Sequence, residues 1–112
     1  MNLTHSGRVA ALAHHLAFFT IMAVATRDGE GADQEIELAM GLWLGQHGYD
    51  DPDENLALAA EAVKASSSIM VEAVRSTAQD GKANPSAAGR LILRQSEDAG
   101  LSHLWVTRRA LH

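Results

Sequence analysis

A nearly uninterrupted apolar run from Val9 to Ala25 constrains the fold more than any other feature of the sequence. Only His14, His15 and Thr20 interrupt it. A helix that is apolar on every side must be surrounded by other elements of the protein. We therefore expect this segment to form the central helix of the core.

The same run also meets some criteria for a membrane or secretion signal. Arg8 precedes it, and Ala23-Val24-Ala25 has the small-x-small pattern of a cleavage site. The adjacent histidines interrupt the apolar region of such a signal, and the run is shorter than the roughly 20 residues that cross a bilayer. We expect no transmembrane segment, although peripheral membrane association remains compatible with the sequence.

Composition predicts one all-α domain over residues 1–112. A chain of this length can bury about 65% of its unfolded surface, which is enough for a single core. Alanine, leucine and glutamate are frequent, whereas aromatic and β-branched runs are few. The absence of cysteine excludes disulfides and thiolate metal sites. Any metal ion would therefore be held by oxygen or imidazole ligands.

Capping residues predict where the next helices begin and end. Asp33 is expected to cap a second helix that ends at Gly48. In Asp51-Pro52-Asp53-Glu54, Asp51 is the expected cap and Pro52 the first helical residue. An unbroken helix from there to Gln79 would be about 42 Å long. We therefore expect a break near Ser66-Ser67-Ser68.

The remaining signals complete a prediction of five to six helices. Asn84-Pro85 opens a helix that continues to Gly100, and Ser102 begins a short last helix. A shift of 52 residues places Asp28-Gly29 on Asp80-Gly81 and Gly48 on Gly100. This offset predicts two pseudo-repeated αα-hairpins, over about 9–50 and 61–102, related by an approximate two-fold axis.

Charge is distributed very unevenly along the chain. Residues 28–54 contain nine acidic and no basic side chains, whereas the rest of the chain carries an excess of four positive charges. The acidic balance argues against a nucleic-acid binder. The segment predicts either a solvated face or a surface that contacts a basic partner protein or another copy of the chain. The partner-binding candidates in it are Glu37, Asp50, Asp51 and Asp53.

Part of this segment has the spacing of a calcium loop. Counting from Thr26 places Asp28, Glu30, Gly31 and Glu37 at positions 3, 5, 6 and 12 of an EF-hand. Position 1 is threonine rather than aspartate, and position 8 is acidic rather than apolar. A looser carboxylate site for calcium or magnesium is therefore favoured over a true EF-hand.

The same residues resemble a known family more closely. An alanine-rich helix is followed by Asp28-Gly29 and then by Glu35, seven residues after the aspartate. This pattern resembles the TerB-like bacterial helical domains, named for the tellurite-resistance protein B, and the resemblance covers about residues 12–111. Two departures are Gly31, where the family usually has an apolar residue, and the second repeat, which lacks the glutamate.

The resemblance implies a function as well as a fold. It implies an all-α cytoplasmic domain, in some cases at the inner face of the membrane, linked to tellurite or other stress responses. Asp28 and Glu35 would be the motif carboxylates that bind a divalent cation, calcium or magnesium rather than zinc. Glu30 and Asp33 would be additional ligands.

Three hypotheses about function follow. The first is a non-enzymatic TerB-like domain that binds a cation or partner through loop 28–37, and the second is an interaction module with an acidic docking face and no metal. The third is a small metal-dependent enzyme, which would need a pocket with His14 or His15 beside Asp28.

The other histidines and the tryptophans carry structural expectations. His47 is expected to cap a helix, and His5 has no partner at a meaningful sequence spacing. Trp43 and Trp105 are expected in the core.

Overall fold

The computed structural model describes residues 3–27 and 30–101, and these residues form an all-helical structure. The elements are α1 (His5–Arg27), α2 (Ala32–His47), α3 (Pro52–Thr77) and α4 (Pro85–Asp98). The described part contains four helices and no β-strand. The predicted last helix from Ser102, together with Trp105, lies outside the described residues.

α1 is the central helix, as the apolar run predicts. It packs against each of the other three helices. Ala11, Leu12 and Ala13 are consecutive, and all three are completely buried. Successive residues of a helix point about 100° apart, so three buried neighbours require protein on several sides. The alanines also let the surrounding helices approach α1 closely.

The core has two parts, joined by α1. In the first, Leu12 of α1 lies in one cluster with Trp43 of α2 and Leu58 of α3. In the second, Ile21 of α1 lies in one cluster with Ile92 of α4 and an alanine of α3. The two halves of α1 therefore pack in different parts of the core.

The start of α2 differs from the prediction. Gly31, not Asp33, occupies the N-cap position, and no side chain caps the helix. The φ angle of Gly31 is 76°, a left-handed conformation that glycine adopts without steric cost. Asp33 lies inside the first turn, where its charge interacts favourably with the helix dipole. The predicted end of α2 before Gly48 is confirmed.

The start of α3 is confirmed, but the predicted break is wrong. The Asp51 side chain accepts a hydrogen bond from the backbone N–H of Asp53 at 3.3 Å. The helix then continues through 26 residues without interruption. The hydroxyl groups of Ser66 and Ser67 donate to the Val63 carbonyl within the helix, so the serines do not disrupt it.

The length of α3 is accommodated because the molecule is elongated. A helix of 26 residues is about 39 Å long. The longest dimension of the protein is 46 Å, against 26 and 24 Å in the other two directions. The prediction of a break assumed a rounder domain.

The turn between α3 and α4 agrees with the sequence. Asp80 and Gly81 both have positive φ, at 53° and 74°. The Asn84 side chain caps α4 by accepting from the backbone N–H of Ala87 at 3.2 Å. The helix ends at Asp98, and Gly100 follows with a φ of 72°.

The loop between α2 and α3 is fixed by a pair of reciprocal hydrogen bonds. Tyr49 N–H donates to the Asn55 side-chain oxygen, and the Asn55 side-chain amide donates back to the Tyr49 carbonyl, both at 2.7 Å. A Cβ atom on Gly48 would lie 2.6 Å from both the Asn55 side-chain oxygen and the Leu44 carbonyl oxygen. Close packing therefore requires glycine at position 48.

Two leucines on α3 provide a direct test of where the core lies. Leu58 is completely buried, whereas Leu56 is 72% exposed. We expect Leu58→Ala to lower the free energy of unfolding by about 3 kcal/mol, because it leaves a cavity. Leu56→Ala in dilute protein should change it by less than about 0.5 kcal/mol. Chemical denaturation measures both, and equal effects would contradict this placement of α3.

Two glycines at the end of α2 provide a second matched pair. Gly48→Ala should destabilise the fold by about 1–3 kcal/mol, because the new methyl group overlaps atoms of Leu44 and Asn55. Gly45 lies inside α2 with no atom within 4 Å of an added Cβ. Gly45→Ala should therefore stabilise the protein by about 0.5–1 kcal/mol. Thermal unfolding distinguishes the two signs, and a stabilising Gly48→Ala would refute the described loop.

Candidate functional site

The acidic residues proposed as ligands lie around the start of α2. Glu30 is exposed in the turn before the helix, Asp33 is exposed in its first turn, and Glu35 is partly buried. Asp28, one of the two motif carboxylates that the resemblance implies, lies outside the described residues. The proposed cation site can therefore be compared with the structure only in part.

Two of the described carboxylates, Asp33 and Glu35, do not point to one centre. Both residues belong to α2. Side chains two positions apart on a helix project about 200° apart, so these two carboxylates face different directions. Asp33 and Glu37 are four apart, so they lie on the same side of α2. No group of three or more potential metal-binding side chains occurs within residues 3–27 and 30–101.

The acidic segment forms two separate surfaces rather than one. We define the α2-start surface as Glu30, Asp33 and Glu37, all of which are exposed. The second surface, at the α2–α3 loop, contains Asp50 and Asp53. The part of α2 from Glu37 to its end at His47 separates the two groups by about 15 Å. This distance exceeds the Debye length of about 8 Å at physiological salt, so the two surfaces act independently.

Asp51, another predicted partner-binding residue, has a structural role. Its side chain caps α3. The other members of the loop surface retain exposed carboxylates.

The adjacent histidines of α1 occupy different environments, as their spacing predicts. His15 is completely buried and meets the Phe19 ring edge-on at a centroid distance of 4.8 Å. His14 is partly buried, and its Nδ1 lies 2.8 Å from the Ala10 carbonyl oxygen. Both rings therefore contribute to the packing of α1.

The end of α2 contains the predicted core tryptophan. Trp43 is completely buried, which confirms the expectation, and its ring lies 5.2 Å from that of His47. The His47 carbonyl accepts a hydrogen bond from Arg8 Nε at 3.0 Å. The backbone N–H of Gly48, rather than a side chain, completes the hydrogen bonding of the last turn.

His5 is the residue that the sequence prediction missed. Its Nδ1 lies 2.7 Å from the Tyr49 hydroxyl, and its Nε2 lies 2.5 Å from a carboxylate oxygen of Glu61. The Arg8 guanidinium lies 4.5 Å from the centre of the Tyr49 ring, a cation–π geometry. We call His5, Tyr49 and Glu61 the His5 cluster. Its members are 44 and 56 positions from His5, so no local pattern could have indicated it.

The His5 cluster joins three parts of the fold. In the neutral imidazole, Nε2–H donates to Glu61 and Nδ1 accepts the Tyr49 hydroxyl proton. Both ring nitrogens are then engaged within the protein. The histidine and glutamate side chains are 50% and 54% exposed, so the contact between them contributes at most about 1 kcal/mol. The arrangement ties the start of α1 to α3 and to the loop after α2.

A groove of about 580 Å³ lies between α1 and α3, beside the His5 cluster. Apolar side chains such as Val9 and Ile69 line most of it, with His14 and Glu61 among its polar groups. Its lining residues come from α1 and α3 and include none from the α2-start surface. The enzyme hypothesis required a pocket with His14 or His15 beside Asp28, and Asp28 lies outside the described residues.

α1 is also long and apolar enough to cross a membrane, over His5–Thr26. The central helix of a soluble protein and an N-terminal signal sequence meet the same criteria. In this structure the helix packs against α2, α3 and α4.

Comparison with other proteins gives no family assignment. The sequence matches no family model, and no curated protein or solved structure is significantly similar to it. The TerB-like resemblance therefore stays a prediction that rests on the motif at Asp28-Gly29 and Glu35.

Proposed function

We propose that this chain is a non-enzymatic helical interaction domain whose α2-start surface binds a basic segment of a partner protein. The observation that carries this proposal is the placement of Glu30, Asp33 and Glu37. Their carboxylates are exposed and distributed over a turn and one side of a helix. Such a distribution suits several cationic side chains of a partner better than one chelated ion, and it favours association through electrostatic complementarity.

We further propose that the domain is TerB-like, with two pseudo-repeated hairpins. The 52-residue shift carries the bounds of α2 to positions 84–99, which supports the proposal because α4 spans Pro85–Asp98. Under the same shift Ile36 and Met40, which pack on the first core cluster, correspond to Ala88 and Ile92 of the second. A cytoplasmic role in tellurite or other stress responses, at the inner membrane face in some cases, belongs to the same proposal.

Binding of calcium or magnesium is the second candidate function. Its proposed ligands are Asp28 and Glu35, with Glu30 and Asp33 as additions, although Asp33 projects from a different side of α2 than Glu35. The short connection favours it, because only residues 28–31 separate α1 from α2. The candidate ligands are thereby held within a few residues of one another.

Neutralising the α2-start surface tests partner binding. We expect Asp33→Asn/Glu37→Gln to weaken binding of a lysine-rich peptide about fivefold at low salt, since each exposed ion pair contributes up to about 1 kcal/mol. Fluorescence anisotropy of a labelled peptide measures the affinity.

The matched control is Asp50→Asn/Asp53→Asn, which changes the net charge equally at the other end of α2 and spares the Asp51 cap. It should leave the affinity nearly unchanged. Equal losses in both variants would indicate unspecific charge attraction and contradict the proposed surface.

Thermal unfolding of metal-stripped protein tests cation binding. Calcium or magnesium at 100 times its dissociation constant should stabilise the native state by about 2.7 kcal/mol, which raises Tm by several degrees. Asp28→Asn/Glu35→Gln should abolish the shift, whereas Asp50→Asn/Asp53→Asn should retain it. If the wild-type protein does not respond, the cation proposal fails and partner binding is unaffected.

A further inference from the structure

α3 has a second apolar face, much of which the other described helices leave exposed. Leu56, Val63 and Val71 are 72%, 44% and 56% exposed. They project away from the buried face of the helix, which includes Leu58 and Ala62. We define the α3 stripe as the set Leu56, Ala60, Val63, Ser67, Met70 and Val74, with Val71 beside it. The first four are exposed, whereas Met70 and Val74 at the far end are partly buried against the second core cluster.

The spacing of the α3 stripe is that of a helix that packs along another helix. Its six positions follow one another at intervals of 4, 3, 4, 3 and 4 residues, and none of them is charged. This alternation has a mean period close to the 3.5 residues of a coiled-coil seam. The stripe extends about 27 Å along α3.

The order of the intervals reads the same in both directions. An antiparallel pair of α3 helices, centred on position 65, would therefore bring each stripe residue opposite another stripe residue. Leu56 would face Val74, Ala60 would face Met70, and Val63 would face Ser67 of the second copy. Larger side chains lie opposite smaller ones in all three pairs, which is the condition for interdigitated packing.

Charges beside the stripe have the same symmetry. Asp53 and Arg75 are 22 positions apart, which places them within about 40° around the helix and about 33 Å apart along it. They cannot interact within one chain. In an antiparallel pair, Asp53 at one end lies beside Arg75 of the second copy, and the contact occurs twice.

We propose that the α3 stripe is the interface of a symmetric homodimer in which two α3 helices pair antiparallel. The palindromic spacing, the size complementarity and the Asp53–Arg75 pairing favour a second copy over other occupants. A membrane surface would favour basic residues along the flanks, whereas this flank carries both Asp53 and Arg75. The narrow contact lies at the low end of interface sizes, so dimerisation depends on concentration in the micromolar range.

One charged residue, Lys64, opposes the proposed pairing. Lys64 lies near the centre of the same flank, so the two Lys64 side chains would be neighbours in the dimer. Like charges at an interface weaken association. Lys64→Gln should therefore tighten the dimer.

Sedimentation equilibrium from about 5 to about 500 µM tests the interface. Val63→Glu should raise the dissociation constant at least about a hundredfold, because it buries a carboxylate from each copy without a partner. Leu38→Glu is the matched control, since Leu38 is 38% exposed on α2, and it should dimerise like wild type. A wild-type protein that stays monomeric throughout, or equal losses in both variants, would overturn the proposal.

Cysteine cross-linking tests the direction of pairing, and the natural absence of cysteine gives it a clean background. An equimolar mixture of Ala60→Cys and Met70→Cys proteins should form a mixed disulfide dimer under mild oxidation. Neither variant alone should cross-link efficiently, because like positions are about 15 Å apart along the helix axes. Efficient self-linking of Ala60→Cys would indicate parallel pairing and overturn the antiparallel arrangement.

Charge reversal provides the independent check. Asp53→Lys and Arg75→Glu should each weaken dimerisation, and the double variant should restore it to near the wild-type dissociation constant. Helical circular dichroism verifies that each variant is folded. Because the two residues are too far apart to interact within a chain, rescue by the double variant requires an antiparallel partner, and its absence would contradict the proposed contact.

Discussion

The enclosure of α1 is the constraint on which the rest of the structure depends. Because Ala11, Leu12 and Ala13 are consecutive and fully buried, other helices must cover this part of α1 on several sides. The remaining helices divide that task, with α2 and the first half of α3 around one end and α4 with the second half of α3 around the other. An isolated amphipathic helix could satisfy its apolar face with one neighbour, whereas α1 requires three.

Polar contacts then fix the start of α1 and the α2–α3 loop, which apolar packing leaves undetermined. Hydrophobic burial is non-directional, so it positions helices without specifying how their connecting loops are arranged. The reciprocal hydrogen bonds of Tyr49 and Asn55 shape the α2–α3 loop, and the His5 cluster attaches that loop to α1 and α3. Each contact is individually modest. Together they fix the start of α1 against the α2–α3 loop and α3.

Local sequence signals predicted the local features and failed on the long-range ones. The central helix, the Asp51 and Asn84 caps and the buried Trp43 each follow from residues close together in the chain. The partners of His5 could not be predicted, because they come from elements 44 and 56 positions away. The cap of α2 was misassigned because the left-handed conformation of Gly31 replaces a side-chain cap. The described acidic candidates lie toward the two ends of α2, and their separation into two surfaces depends on the helix between them.

The continuity of α3 explains both the wrong prediction of a break near Ser66 and the exposure of the α3 stripe. A break near Ser66 would have let the second half of this helix fold back and cover its own apolar residues. Without it, α3 extends almost the full 46 Å of the protein. A straight helix on the outside of a bundle can bury only one side against that bundle, so apolar residues on its far side stay exposed. Leu56 and Val63 are exposed on that side, and such exposed apolar residues are the basis of the proposed dimer interface.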